Sequence, residues 1–190
     1  MLLTAQRESE VAGIRWSEID ADKRLWTIPA ARSKNGKPHI VHLNELAVEA
    51  LGQMARIVGQ DLVFSATGKT PASGFSHAKA RLDAPMLAAE RERLRAAGRT
   101  READELMLQP FTLHDLRRTA TTGMARLGIP PHIADRILNH QAGTIRGVAA
   151  VYNRFEYLEE RKAALEAWGR HVEALVRLLP SNVVPLALAR

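Results

Sequence analysis

Two short apolar segments separated by a polar loop constrain the fold of this chain more than any other feature. L-W-T-I-P (Leu25 to Pro29) and H-I-V-H-L (His39 to Leu43) have the length and composition of β-strands. The loop between them contains Asn35-Gly36, a pair that favours hairpin turns because both residues tolerate positive φ. The pattern predicts an antiparallel hairpin with Lys34 at or beside its tip.

Most of the remaining chain has the pattern of α-helices. Asn44 is suited to cap one helix, and Thr112, with Asp115 three residues later, is suited to cap another. Helices are predicted from Met1 onward, from Glu45 to about Val58, from Phe75 to about Ala97, from Thr112 to Arg126, from Pro130 to about Asn139 and from about Asn153 to Leu179. Asp61 to Phe64 could form a third short strand or an extended segment, and Gly98 to Gln109 a polar surface excursion. The expected fold class is therefore α+β, mainly α-helical, with a small antiparallel hairpin or three-stranded sheet.

The composition is that of an ordinary globular domain with a basic surplus. Lys and Arg number 27 against 21 Asp and Glu, which gives a formal net charge of +6 over 190 residues. This surplus suits a polyanionic partner, because each neutralised phosphate releases counterions. Cysteine is absent, so disulfides, thiolate nucleophiles and cysteine-type zinc sites are excluded. The sequence contains no transmembrane-length apolar run, no phosphate-binding glycine loop and no ready cation site.

Two short motifs place an arginine three residues from a side chain that could help it bind phosphate. In H-D-L-R, His114 and Arg117 would project from the same face of a helix. There the arginine could bind two oxygens of one phosphate, and the histidine could carry a proton. In R-E-S-E, Arg7 and Glu10 would share a helical face, and the carboxylate of Glu10 could orient the guanidinium of Arg7. Taken alone, each motif is more often an ordinary solvated helix face.

Tyr152 is one of two tyrosines in the chain and lies twelve residues after His140. A tyrosine accompanied by arginines and histidines is a nucleophile surrounded by phosphate-binding groups, which indicates chemistry on a DNA backbone. Each residue also has an ordinary interpretation: a core tyrosine, a histidine at a helix end, and for Lys34 a solvated turn. Tyr157 competes with Tyr152 for the role of nucleophile, and Lys37 competes with Lys34.

Taken in order, these segments resemble the catalytic domain of the tyrosine recombinases, the phage integrase family. The matching segments are T-A-Q-R-E-S-E-V-A-G-I-R-W, W-T-I-P-A-A-R-S-K-N-G-K-P-H-I-V-H-L, T-L-H-D-L-R-R-T-A, I-L-N-H and V-Y-N-R-F-E-Y-L-E-E-R-K-A-A-L-E-A-W. The resemblance covers about Thr4 to Trp168 and is closest to prophage and genomic-island integrases. Two departures, a long interval from His140 to Tyr152 and Asn139 where glycine is frequent, also occur in prophage-type members.

The resemblance implies metal-free and cofactor-free cleavage and rejoining of DNA strands through a 3′-phosphotyrosyl intermediate. The implied catalytic residues are Arg7, Lys34, His114, Arg117, His140 and the nucleophile Tyr152, with Glu10 in support. Two alternatives stay open: a DNA-binding integrase remnant without catalysis, and a type IB topoisomerase-like enzyme that relaxes DNA by the same chemistry.

The resemblance also implies a domain organisation and partners. Residues 1–179 are expected to form the catalytic domain, and residues 180–190 a tail that packs on a neighbouring protomer or is disordered. The upstream core-binding and arm-binding domains of the family are missing, and the uncapped helix pattern at Met1 suggests the C-terminal part of a longer protein. The expected partners are double-stranded DNA attachment sites and further copies of the chain, a tetramer on DNA and a monomer or weak oligomer otherwise. The expected location is the cytoplasm, at the nucleoid.

Overall fold

A computed structural model describes residues 1–140 and 156–177 of the chain. The helices are α1 (Glu8–Ala12), α2 (Glu45–Gly52), α3 (Phe75–Ala96), α4 (Thr100–Glu105), α5 (Leu113–Arg126), α6 (Pro131–Ile137) and α7 (Leu158–Val176), and the strands are β1 (Ile19–Asp20), β2 (Leu25–Ile28) and β3 (His39–His42). A short 3₁₀ helix, Trp16–Glu18, precedes β1. Within the described ranges, no helix combines the length and the apolar character that crossing a membrane requires.

The three strands form one antiparallel sheet in the order β1-β2-β3. Leu25 pairs with His42 and Ile28 pairs with His39, which confirms the predicted hairpin and the α+β fold class. The loop that joins β2 to β3 is longer than a two-residue turn, and Gly36 within it has a φ of +64°. Strand β1 was not predicted, because two residues are too few to show an alternating pattern.

The predicted helix at Met1 is wrong. Residues 2–4 form a turn that a hydrogen bond of 2.8 Å from Ala5 N to Met1 O closes, and Ala5 has a φ of +55°. The buried Gln6 side chain then donates to Thr4 O at 2.8 Å and to Ile137 O at 2.9 Å, which ties this segment to α6. Helix α1 begins only at Glu8, so Arg7 precedes the helix and does not share a helical face with Glu10.

Other element boundaries also differ from the predictions. Helix α2 ends at Gly52, six residues early, and α7 begins at Leu158 because Tyr157 has a left-handed φ of +50° that a helix cannot continue through. Residues 61–64 form no strand, and only an isolated bridge joins Leu62 to Arg15. The expected polar excursion contains α4, which packs against α3.

Asn44 joins three separate parts of the core. Its side chain is fully buried and accepts from Ala47 N at 3.0 Å, which confirms it as the cap of α2. The same amide donates to Leu3 O at 2.9 Å and to Leu165 O at 3.1 Å. One residue therefore fixes the N-terminal segment, α2 and α7 relative to one another.

Helix α7 packs on α2, α5, α6 and β3 and is the central element of the domain. Its contact with α5 is closest at Gly123, where an added Cβ would lie 2.1 Å from Cζ3 of Trp168. The indole is itself fixed, because Nε1 of Trp168 donates to Leu2 O at 2.8 Å. The glycine therefore sets the position of α5 on the core.

We predict that Gly123→Ala lowers the free energy of unfolding by about 2–3 kcal/mol, because the methyl group overpacks a site whose ring cannot retreat. Chemical denaturation measures the effect. Gly52→Ala is the matched control: it has open space around its Cβ position, and stability should be unchanged or rise by up to about 1 kcal/mol. Equal stability of the two variants would contradict the close approach of α5 to α7.

His39 ties the start of β3 to α6 by a bond of 3.1 Å between its Nε2 and Ile137 O. Because a carbonyl only accepts, Nε2 carries the proton and donates it. Burial, and to a smaller extent the charge of Arg161, lowers the pKa of His39 to about 4 from its usual 6.5, although the bond to Ile137 O opposes this shift. The ring is therefore neutral in the folded protein.

A lowered histidine pKa makes stability fall on acidification. Between about pH 6.5 and pH 4 the unfolded chain binds a proton at His39 and the folded chain does not, so up to about 3 kcal/mol of stability is lost as the pH falls through this window. We predict a shallower decrease in His39→Gln, measured by urea denaturation from pH 7 to pH 4. The exposed His77 supplies the control, since His77→Gln should keep the wild-type slope. If stability falls with pH as steeply in His39→Gln as in the wild-type protein, His39 is not the group whose protonation destabilises the fold.

Candidate active site

Helix α5 carries two of the predicted site residues in its first two turns. Thr112 precedes the helix, and its backbone N and its Oγ1 both donate to Asp115 Oδ2, at 2.7 and 2.8 Å. The backbone bond from Thr112 is the main cause that lowers the pKa of Asp115 to about 2, so the cap is ionised at neutral pH. The cap fixes the start of α5, which places His114 in the first turn and Arg117 one turn later.

Arg117 is the most deeply buried cation of the predicted set, with 4% of its surface exposed. Its Nη2 donates to Leu138 O at 2.5 Å and lies 3.4 Å from Nε2 of His140. Its Nη1 is buried and makes no hydrogen bond to any described residue. A charged donor without an acceptor is costly, so this atom favours the approach of an anion.

Arg7 is held by the carboxylate of Glu10. Arg7 Nη1 lies 3.0 Å from Glu10 Oε1, and the backbone N of Arg7 donates to Glu10 Oε2 at 3.1 Å. Glu10 is 2% exposed, so its charge acts within the protein and not in solvent. The carboxylate thus fixes both the main chain and the side chain of Arg7.

Arg7 and Arg117 are close enough for their charges to interact. Burial, and to a smaller extent the charge of Arg7, lowers the pKa of Arg117 to about 10, and the charge of Glu10 opposes this shift. Arg117 is still protonated at neutral pH. Two positive groups with one compensating carboxylate therefore form a site that attracts a phosphate.

His140 follows the end of α6 and lies against Arg117. Its backbone N donates to Asp135 O at 3.0 Å, and its Nδ1 lies 3.4 Å from Asp135 Oδ1. Burial and then the charge of Arg117 lower the pKa of His140, and Asp135 opposes them, so the ring is neutral at pH 7. Because arginine only donates, Nε2 is the accepting nitrogen and the proton lies on Nδ1, towards Asp135.

Lys34 is exposed in the loop between β2 and β3. Its two neighbours in the chain, Ser33 and Asn35, are hydrogen-bonded to Asn139, the residue before His140. Arg32, the residue before Ser33, donates to Glu10 O at 3.3 Å. The loop that carries Lys34 is therefore attached to the segments that carry His140 and Arg7.

Sequence reasoning missed the residues that attach this loop. Arg32, Ser33 and Asn35 were seen only as parts of a turn, and Asn139 only as a departure from glycine. The Asn-Gly pair signalled the turn, but no local pattern indicates a partner that is 104 residues away.

The remaining predicted residues are less closely joined. His114 is exposed, and no hydrogen bond links it to Arg7, Arg117 or His140 within the described part of the chain. Tyr152 and the tail from 180 to 190 lie outside the described residues. Tyr157, the alternative nucleophile, is half-buried, and its ring stands edge-on to His132 at 5.3 Å between centroids.

Comparisons with known proteins show the family to which the chain belongs. The phage integrase family model matches residues 1–156. The prophage integrase IntA of Escherichia coli (strain K12) is 30% identical over 174 residues, which cover 91% of this chain and 37% of that protein. The integrase of Enterobacteria phage P4 is 28% identical over 190 residues, covering 90% of this chain and 38% of that protein. The chain thus spans about two fifths of the length of these relatives.

Two solved structures share the fold. The integrase from mycobacterium phage Brujita matches with a TM-score of 0.53 and 17% identity, over 87% of this chain and 48% of that chain. The Tn1549 transposon integrase, in complex with transposon right end DNA, matches with a TM-score of 0.52 and 16% identity, over 87% of this chain and 56% of that chain. These matches confirm the expected tyrosine recombinase catalytic-domain fold.

We predict that Glu10→Gln lowers the free energy of unfolding by about 3 kcal/mol, because the substitution removes the buried carboxylate that offsets Arg7 and Arg117. Urea denaturation at neutral pH measures the loss. Glu8→Gln makes the same change of charge two residues earlier in α1 and should cost less than about 0.5 kcal/mol. Similar losses in both variants would show that Glu10 does not compensate the arginines.

Proposed function

Because this chain belongs to the phage integrase family, we propose that it is the catalytic domain of a site-specific DNA recombinase. The observation that carries the proposal is Arg117, a buried cation that contacts His140 and is close to Arg7. One of its buried donor atoms has no acceptor among the residues that the structure describes. The Tn1549 integrase matched above is bound to DNA, and IntA is a prophage integrase, which supports DNA as the partner. The proposed reaction cuts and rejoins DNA through a 3′-phosphotyrosyl intermediate.

The two arginines bind the non-bridging oxygens of the scissile phosphate. A guanidinium has a permanent charge and a planar fork, which suits two oxygens that gain charge in the transition state. Nη1 of Arg117 has no acceptor among the described residues, so a phosphate oxygen would complete its hydrogen bonding. Glu10 holds Arg7 in place through bonds to its side chain and its backbone N.

Tyr152 supplies the nucleophile. Its oxygen bonds to phosphorus as the bond to the 5′-oxygen breaks, which leaves a 3′-phosphotyrosine and a free 5′-hydroxyl. A tyrosine with an ordinary pKa near 10 is a weak nucleophile at pH 7, so a neighbouring base must remove its proton. His114 is the proposed base, since its exposed position in the first turn of α5 allows it to face the DNA.

The leaving oxygen takes its proton from Lys34. The exposed ammonium donates one proton to the 5′-oxygen, so the strand leaves as a hydroxyl and not as an alkoxide. His140 binds a non-bridging oxygen together with Arg117. Burial and then the charge of Arg117 lower the pKa of His140, and the negative charge of an incoming phosphate offsets the effect of Arg117, so the substrate itself favours a hydrogen on Nε2.

The bond energy is kept in the phosphotyrosyl link, so rejoining needs no nucleotide cofactor. The 5′-hydroxyl of a partner strand attacks the link and gives its proton to Lys34, which the cleavage step left neutral. The tyrosine leaves and takes back its proton from His114, and the exchange is complete. The proposed partners are therefore two double-stranded attachment sites held by several copies of the protein, with the tail from 180 to 190 contacting a neighbouring copy. We place this reaction at the DNA of a bacterial cytoplasm.

The covalent intermediate provides the test. A duplex that spans the attachment junction, nicked beside the scissile phosphate, loses the short 5′-hydroxyl strand by diffusion and traps the protein on DNA. We expect the wild-type protein to form an adduct that denaturing electrophoresis detects, and Tyr152→Phe to reduce it at least about 1000-fold, since no other group replaces a missing nucleophile.

Tyr157→Phe is the matched control, because it removes the only other tyrosine hydroxyl in the chain and should preserve the adduct. An adduct that survives in Tyr152→Phe and disappears in Tyr157→Phe would show that Tyr157 is the nucleophile. DNA binding without an adduct in the wild-type protein would identify a non-catalytic DNA-binding protein.

A further inference from the structure

We propose that Asn139 is a positioning residue that holds Lys34 beside His140. The inference rests on the proposed role of Lys34 as the acid that protonates the leaving oxygen. It assigns to the asparagine side chain two hydrogen bonds to a distant segment that a glycine at this position could not make.

The backbone at Asn139 turns the chain sharply after α6. Its φ of +53° lies in the left-handed region, which glycine and asparagine adopt at the least cost. The turn ends α6 and brings the backbone N of His140 to 3.0 Å from Asp135 O. A glycine would permit the same turn, so the backbone alone does not require an asparagine.

The side chain of Asn139 makes the second contribution. Its Oδ1 accepts from Asn35 Nδ2 at 3.0 Å, and its Nδ2 donates to Ser33 Oγ at 3.1 Å. The main-chain O, which a glycine would also offer, accepts from the same Asn35 nitrogen. Ser33 is 7% exposed, so the bond to it is sheltered from water. Asn139 therefore holds the two residues on either side of Lys34, whose Cα lies about 3.8 Å from each of theirs.

Arg32, the residue before Ser33, gives the start of the loop a separate attachment. Arg32 donates to Glu10 O at 3.3 Å and through Nε to Glu18 Oε1 at 3.0 Å. Without the Asn139 bonds, the loop would stay attached near α1 and would be free to move away from α6. Lys34 itself is exposed, so its position depends on the backbone that carries it.

A general acid must reach the leaving oxygen to within about 3 Å, and a misplacement of about 1 Å can slow a reaction about 100-fold. The asparagine thus couples the acid to His140, which binds the same phosphate. Lys34 and His140 then keep their positions relative to each other when the protein binds DNA.

The first test needs no activity. Hydrogen exchange at the backbone amides of residues 33–37 is compared between wild type and Asn139→Gly, a change that keeps the left-handed turn. We expect these amides to exchange about 10-fold faster in the variant, because two anchoring bonds are lost. Arg24→Gly is the matched control, since Arg24 also has a positive φ, of +54°, but lies in another turn. Unchanged exchange in Asn139→Gly would overturn the proposal.

The second test separates positioning from general damage. A duplex with sulfur in place of the bridging 5′-oxygen releases a thiolate, which needs no acid because its pKa is lower. We expect Asn139→Gly to cleave the oxygen substrate about 10-fold more slowly and the sulfur substrate at the wild-type rate, in parallel with Lys34→Ala. Equal losses on both substrates would contradict the positioning role.

A failure of the recombinase function and a failure of the positioning role give different results in these tests. If the wild-type protein forms no adduct with either substrate, the proposed recombinase function is wrong, and hydrogen exchange still decides whether Asn139 holds the loop. If the loop is held and the variant cleaves both substrates at the wild-type rate, the positioning role is wrong and the recombinase function stands.

Discussion

Two positive charges held close together inside the protein are the constraint on which the site depends. Arg7 and Arg117 come from segments 110 residues apart, repel each other and share one buried carboxylate, Glu10. Such an arrangement forms only if the surrounding core fixes it. The Asn44 hydrogen bonds and the close contact of Gly123 with Trp168 provide that rigidity, because they set α5 and the N-terminal segment on α7.

The parts of the fold that the sequence predicted have local causes. The hairpin, the start of α2 at Asn44 and both ends of α5 follow from turn and cap residues that act within a few positions. The N-terminal turn was missed because it is stabilised from a distance, by Gln6 donating to Ile137 O. Its apolar residues Leu2 and Leu3 pack against the core from a turn, and local sequence alone does not distinguish such a turn from the first turn of a helix.

The site shows the same division between local and distant causes. Residue type and spacing indicated Arg7, Glu10, Arg117 and His140, which the structure brings together, while the roles of His114, Lys34 and Tyr152 stay predictions. The attachments of the lysine loop to Glu10 O and Asn139 could not be predicted, because each joins segments whose proximity exists only in the folded chain.

Helices α3 and α4 form a unit with its own small centre, where Leu94 and Ala103 are buried and Gly98, with a φ of +74°, makes the turn between them. Most other side chains of α3 are partly or fully exposed. A turn whose backbone bonds stay within its own helical pair can accept added chain without disturbing the packing elsewhere. The turn at Gly98 is thus a permissive place to graft a fluorescent reporter or an affinity handle while the arginine pair keeps its geometry.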